Sequence, residues 1–473
     1  MGKLREMLMH AENYSGGEDY NNTGDTGGTI IEIQKFNVPK RNVLSKPDQR
    51  LLATLEKAVE NFGSIYAVQF DDRFDGANVY PHDVTEEEVL EAAARDPGIL
   101  DPYHAVTRNK ANQLIPVPYH LQYSEELKPV IDLVRNASRI APLSQAPYLT
   151  STARALALGM YEEQMEEWLA IKQEPIVDTM ISFNDRYGDR LMGRKFFAWG
   201  SVGILNQNAT EIAQKVVEEI LDIWDKQKFR PEGMKMPNVR VRLEETTLLS
   251  GLAAHYGFTA DNLPCQRERR ERYGSKILVF LPPFKNRIIF GYEPLLPQVV
   301  DTDRLPDITH KKFTDGSLDF FLGHEVNHSL IRRVGDEERL GSVYPTFSEM
   351  YCTTSGLYQL HQGCTVEEQN HLLAIFLNKT VRDILMTRGN GSRDHVVAHR
   401  AIVNSLLDQG KLKISNGLFQ WFTYNPVRVF QELEGLINQL EKIGSSGSGN
   451  DFKSLIEPLI NLRSIDRVRA LRY

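Results

Sequence analysis

Apolar and polar positions change rhythm along this chain, and the changes divide it. Thr29–Lys35 has the pattern of a short strand, and Asp48–Phe62 repeats its apolar positions at helical spacing. Thr85–Ala94 predicts a second helix, with acidic residues in its first turn. Ala141–Lys172 is helical too, with Met160, Met165, Trp168 and Leu169 among its apolar positions. Thr210–Lys226 carries Ile212, Val216, Val217, Ile220 and Ile223 at helical spacing. Asn238–Leu243 then alternates strictly and Lys276–Leu281 is rich in β-formers, which predicts a sheet over roughly 236–295. From about Leu318 to Lys442 helical spacing returns, in His371–Thr387, Asp394–Gln409 and Pro426–Lys442. Gly444–Asn450, reading GSSGSGN, has the composition of a flexible connector before a last helical segment. Helices, a strand-rich block and helices again make an α+β chain rather than a regular βαβ alternation.

Composition narrows the function classes. The 473 residues suffice for two or three domains, and 41% hydrophobic with 25% charged residues is ordinary for a globular protein. A net charge of −8 argues against nonspecific nucleic-acid binding, which depends on neutralising phosphates. The basic run Arg267–Arg272 alternates in sign and reads as a solvated face. Met1–Gly28 lacks an apolar core segment and is rich in Gly, Asn, Asp and Thr, so it is expected to be a disordered leader rather than a secretory signal. No stretch approaches the ~18 apolar residues that span a bilayer. Cys265, Cys352 and Cys364 show no ligand-like spacing, which favours a reducing compartment. The expected location is cytoplasmic. One Asn-x-Ser sequon, Asn327-His328-Ser329, falls inside the most informative helix and is read as chance.

That helix contains His324-Glu325-Val326-Asn327-His328, an HExxH sequence. A helix turns about 100° per residue, so residues four apart share a face. His324 and His328 can therefore aim at one Zn2+ ion, with Glu325 one step round as general base for a water. Leu318, Phe320, Phe321 and Leu322 lead in, and Leu330 and Ile331 follow, as for a buried helix. A catalytic site of this kind needs a third protein ligand. A histidine six residues after His328 would supply one, but that position is Val334. Glu349, after a loop with Gly335, Gly341 and Pro345, supplies a carboxylate from the next helix. Glu337 and Glu338 lie too close to His328 and read as solvated loop charges.

Four segments resemble the dipeptidyl peptidase III zinc metallopeptidases, in their bacterial and plant branch. They are the HExxH itself, Ser348–Leu357 (similar to EExxAD followed by Gly-Leu), Asp189–Lys195 (similar to EDxLFGYK), and Asn262-Leu263-Pro264 with Gly274-Ser275-Lys276 downstream (similar to NLPND followed by GSK). A fifth, weaker match runs from His395 to Gly410. The segments span about 175–410 in the family's order.

The resemblance implies two lobes around a cleft. One holds a mixed β core, residues 29–205 with 233–295. The other is mostly helical and carries zinc, residues 206–232 with 296–445, followed by a C-terminal segment, 446–473. It implies one Zn2+ per chain on His324, His328 and Glu349, with Glu325 as base and His395 stabilising the oxyanion. The substrate would be a small peptide, its amino terminus held by polar side chains that include Asn184, Asp185 and Asn262.

Departures from the family pattern cluster around the site. Ser348 stands for the first glutamate of the EE pair, Thr353 for the later aspartate, Asn184-Asp185 for a Tyr-Glu pair, and Cys265-Gln266 for Asn-Asp. The two lost carboxylates would orient the zinc histidines, so metal affinity is expected to weaken. Asp185 retains the charge to grip an ammonium group. Three functions are compatible with this pattern: peptide hydrolysis, a repurposed zinc hydrolase or lyase acting on a small metabolite, or a noncatalytic zinc-binding protein. Retention of Glu325 speaks against the last, because a structural zinc site needs no base.

Overall fold

The computed structural model describes residues 32–71, 77–227, 236–264, 267–305, 308–331, 339–386, 393–421 and 425–471. The expected leader, Cys265-Gln266, and Glu337 and Glu338 lie outside the described residues. The amino-terminal part contains β1 (Ile33–Lys35), α1 (Lys46–Gln69), α2 (Glu86–Arg95), the hairpin β2 (His104–Arg108) and β3 (Leu114–Pro118), then α3 (Ser124–Ile140), α4 (Ala146–Leu158) and α5 (Tyr161–Ala170). Ser45 and Thr85 cap α1 and α2, each accepting from the backbone N–H three residues on.

The central sheet comes next, with β4 (Val177–Asp185), β5 (Phe197–Leu205), β6 (Val239–Gly251), β7 (Ala260–Leu263) and β8 (Ser275–Phe280), and with α6 (Gln207–Asp225) between β5 and β6. Its order is β4-β5-β6-β8-β7, and β1 adds to β6. The β6–β8 pair is parallel and the others are antiparallel. Two hydrophobic cores meet at this sheet. In β8, Ile277 and Val279 belong to one core while Leu278 and Phe280 belong to the other. The first core joins α1 and α3–α5 to β4 and β5. The second takes Val239, Val241 and Leu243 of β6, the α6 residues Val217 and Ile220, and the carboxyl-terminal helices. Those helices are α7 (His310–Leu330), α8 (Tyr344–Gln362), α9 (Val366–Met386), α10 (Arg393–Asp408), α11 (Val427–Ser446) and α12 (Gly449–Asn461), with the hairpin β9 (Leu412–Ser415) and β10 (Leu418–Trp421). Phe452, Ile456 and Val468 pack in this second core. Among the described residues no helix is long and apolar enough to cross a membrane.

Three sequence expectations are corrected. The sheet is not confined to 236–295, because β4 and β5 extend it on the amino-terminal side of β6. Both are buried on both faces, so the alternation that marks a half-exposed strand is absent. Ala141–Lys172 forms more than one helix, because Gly159 takes a left-handed turn at φ +76 and ends α4. Gly444–Asn450 is not a flexible connector. Helix α11 runs through Ser446, and a reciprocal Ser448–Asp451 capping box starts α12. Arg339 holds this corner by donating to the carbonyls of Ile443 and Gly444.

Helices α7 and α8 make the closest contact in the second core. A Cβ on Gly356 would stand 2.7 Å from the carbonyl carbon of Gly323 and 3.0 Å from the His324 nitrogen. The two backbones therefore touch with no side chain between them. One turn on, Asn327 donates to Gln359 Oε1 at 2.7 Å, and Gln359 donates back to Asn327 Oδ1 at 3.3 Å. The Asn327 amide, nominally a sequon, is fully enclosed by this pair. Gly356→Ala should destabilise the protein by about 1–3 kcal/mol, the usual cost of overpacking. Gly435→Ala, whose Cβ meets nothing within 4 Å, should be neutral or stabilising. Urea unfolding of the two variants checks this, and equal midpoints would rule out the close-contact reading.

Candidate metal centre

Helix α7 is buried around most of its circumference, so polar groups inside it must find partners. His324 and His328, one turn apart, place their Nε2 atoms 3.1 Å from each other. Glu349, in the second turn of α8, brings Oε2 to 3.2 Å from His324 Nε2 and Oε1 to 3.7 Å from His328 Nε2. Among the described residues these three form the group of His, Cys, Asp and Glu side chains whose donor atoms converge for a metal, all within 4.8 Å of one another. Two nitrogens on a tetrahedral Zn2+ at bonds of about 2.0–2.1 Å lie roughly 3.3 Å apart. The observed spacing and the His2Glu donor set both fit that ion.

The outward nitrogens are engaged, which leaves the inward ones free to ligate. His324 Nδ1 meets Thr353 Oγ1 at 3.1 Å. His328 Nδ1 meets Ser348 Oγ at 3.3 Å and Cys352 Sγ at 3.4 Å. Burial pushes the His328 imidazole down to about 3, against the pull of Glu349, so it is neutral as a ligand must be. Burial alone would raise the Glu349 carboxyl, but His395 and His328 beside it hold it well below the usual carboxylate range. His395, on α10, brings Nδ1 to 2.8 Å from Glu349 Oε2, a close pair lying off the axis of a good hydrogen bond. Burial lowers the proton affinity of His395, yet the Glu349 charge raises it further. The Glu325 carboxyl is raised by burial.

The sheet side of the site comes from β7 and the end of β4. Asn262 donates through Nδ2 to the Glu325 carbonyl at 2.6 Å and to Ser329 Oγ at 2.9 Å. Its donor is thus used to dock β7 on the metal helix, while its Oδ1 is buried without a partner. Ser275 adds a 2.7 Å contact to the same Ser329 hydroxyl. Lys276, next along β8, pairs with Glu174 at 2.8 Å and lies over the Trp168 ring. Within Gly274-Ser275-Lys276, Ser275 therefore joins the sheet to α7, while Lys276 ties β8 to Glu174 and Trp168. The Asp189–Lys195 segment is architectural as well: Asp189 accepts from the backbone of Met192, Arg194 and Lys195, and the Lys195 ammonium caps the carbonyls of Ile99 and Asp101.

Asn184 and Asp185 are buried at the end of β4, and Asn184 Nδ2 has no hydrogen-bond partner. Tyr187, just beyond, packs against Tyr256 and Phe258, just before β7, so the two edge strands of the sheet come together there. This brings Asp185 within electrostatic reach of Asp261 on β7, and Asp261 within reach of Glu325. Burial raises Asp185 to about 6. Asp261 is raised further, by burial first and then by the charges of Asp185 and Glu325. Asp261 escaped sequence reasoning because an acidic residue at a strand start carries no signal of its own. His399 and Asp383, which stand behind Thr353, were equally silent, since only the fold brings α9 and α10 to α8.

No protein-family model matches the sequence, and no curated protein is matched by it. Solved structures do match the fold. One is DPP III from Caldithrix abyssi, with TM-score 0.77 and 19% identity over 91% of this chain and 93% of that one. Another is dipeptidyl-peptidase III from Corallococcus sp. strain EGB, with TM-score 0.78 and 17% identity over 94% and 92%. The chain therefore has the α+β, two-lobed fold of dipeptidyl peptidase III, along nearly its whole length. Elemental analysis of purified protein dialysed against Zn2+ should find about one zinc per chain. His328→Ala and Glu349→Ala should each lower zinc affinity at least 100-fold, read by competition with a chromophoric chelator; undiminished binding in either would remove that residue from the ligand set.

Proposed function

We propose that this chain is a zinc-dependent hydrolase that cleaves an amide bond in a small peptide held against β4 and β7. The observation that carries the reading is the convergence of His324, His328 and Glu349 with Glu325 on the next position of the same helix. The likeness to solved dipeptidyl peptidase III structures supports it. When bound, Zn2+ would act as a Lewis acid on the scissile carbonyl and acidify a water. Glu325 would take the proton of that water as it attacks and pass it to the leaving amine. Its burial raises its proton affinity, which suits a base that must also return the proton. His395, beside Glu349, would turn a ring N–H toward the negative charge that develops on the carbonyl oxygen.

On the other side Asp185, in its ionised form, would supply the negative charge for a substrate ammonium, with Asp261 coupled to it and favouring its protonated form. Asn184 Nδ2 and Asn262 Oδ1 offer an unused donor and acceptor there. A second reading, a zinc enzyme acting on a small metabolite, is favoured by the commitment of the Asn262 amide donor to the metal helix. That leaves fewer groups to read a peptide backbone.

A panel of dipeptidyl-naphthylamides tests the peptidase. Turnover is expected with the zinc-loaded protein and should fall at least 1,000-fold in Glu325→Gln while bound zinc stays at the wild-type level. Absence of turnover across the panel, with zinc bound, would reject the peptidase in favour of the metabolite enzyme. Ammonium binding by Asp185 requires its ionised form. Because burial raises that group to about 6, KM should rise as pH falls below 6, and Asp185→Asn should raise KM at pH 7.5 and flatten that dependence. A KM that ignores both pH and the substitution would take Asp185 out of the substrate site.

A further inference from the structure

Behind His324 runs a line of hydrogen bonds through three helices. Thr353 Oγ1, on α8, lies 3.1 Å from His324 Nδ1 and 3.1 Å from His399 Nε2 on α10. His399 Nδ1 lies 3.2 Å from Asp383 Oδ2 on α9, and that carboxylate pairs with Lys379 at 2.6 Å. Thr353 and His399 are completely enclosed, and His324 nearly so.

The chemistry of the end group fixes every proton in this line. An ionised Asp383 can only accept, so His399 Nδ1 must donate to it. Burial and the nearby Lys379 push His399 down to about 3, so the ring is neutral and its Nε2 is an acceptor. The single hydroxyl proton of Thr353 therefore goes to His399. The hydroxyl lone pairs are left to accept from His324 Nδ1–H. His324 must then carry its proton on Nδ1, with a bare Nε2 lone pair turned toward Glu349 and His328. That is the tautomer a metal ligand needs.

We propose that Asp383, His399 and Thr353 form a positioning relay that locks His324 in its ligating tautomer and transmits carboxylate character to it. The relay takes the place of the aspartate that the family pattern puts at position 353. It rests on the reading of the site as a zinc centre. Among the described residues His328 has no counterpart, since its Nδ1 meets the neutral Ser348 and Cys352. The two histidines are therefore supported unequally, and the expected loss of both orienting carboxylates is made good at one of them.

Zinc affinity, measured by chelator competition on the full-length protein, tests this. Thr353→Val should bind zinc 10- to 100-fold more weakly than wild type, the usual effect of losing a group that orients a metal ligand. Thr353→Ser, which keeps the hydroxyl, should match wild type. Asp383→Asn should weaken binding severalfold, and Thr353→Val/Asp383→Asn should be no weaker than Thr353→Val alone, because the link is already cut. A merely structural role for Asp383 would instead add its loss to that of Thr353. Thr353→Val within twofold of wild type, or additive losses in the double variant, would overturn the relay. If Thr353→Val does not fold, the near-isosteric Asp383→Asn decides alone, and wild-type affinity in it overturns the relay. His324→Ala separates the two readings. Wild type that binds zinc and loses it in His324→Ala, with no effect in the relay variants, sinks the relay only. Wild type that takes up no zinc sinks both.

Discussion

Backbone contact between α7 and α8 at Gly323 and Gly356 is the constraint on which the site depends. The three donor atoms come from these two helices, so the distance and register of the helix pair decide where the donors meet. Removing the Cβ on both sides brings the backbones into contact, and the Asn327–Gln359 amide pair then sets the register one turn away. With the register set, Glu349 falls beside His324 and His328, and Thr353 falls behind His324. The same side-chain-free contact also explains why α7 lacks a clean apolar stripe. It is wrapped by protein on nearly every face, and its polar residues are spent on neighbours instead of on water.

The docking of the sheet is the second layer of the same logic. Asn262, Ser275 and Ser329 add short polar contacts between β7, β8 and α7 to the apolar packing of the second core. Directional bonds hold a position more tightly than hydrophobic contacts, which are indifferent to small slides. Asp261, on β7, is thereby held within electrostatic reach of Glu325, and its burial shows as raised proton affinity.

Local chemistry was legible in the sequence where it is carried by residues close together. The i,i+4 histidines, their intervening glutamate and the subsequent Glu349 could be read directly, as could the helices with exposed faces. Strands β4 and β5 were not legible, because burial on both faces removes the alternation that identifies a strand. The corner at Ser446–Gly449 was misread, because its glycines and serines signal looseness while Ser448 and Arg339 in fact tie it down. The relay residues were invisible for a different reason. Thr353, His399 and Asp383 come from three helices, and a lone residue of each type on a buried face more often signifies packing than chemistry.

The distribution of charge around the three donors results from these placements. At Ser348 and Thr353 neutral hydroxyls stand directly against the histidines, and among the described residues Glu349 and Glu325 are the carboxyl groups on the helices beside the donors. Further negative charge lies one step removed in two directions. Asp383 sits behind His399 and is neutralised by Lys379, so it can polarise His324 without adding net charge to the site. Asp185 and Asp261 sit on the sheet side, where burial raises the proton affinity of both and Arg186 and Arg270 oppose that rise. In the proposed relay the support missing at 353 is supplied from behind His324, while His328 keeps Ser348 and Cys352 as the partners of its Nδ1, so the two histidines differ in basicity.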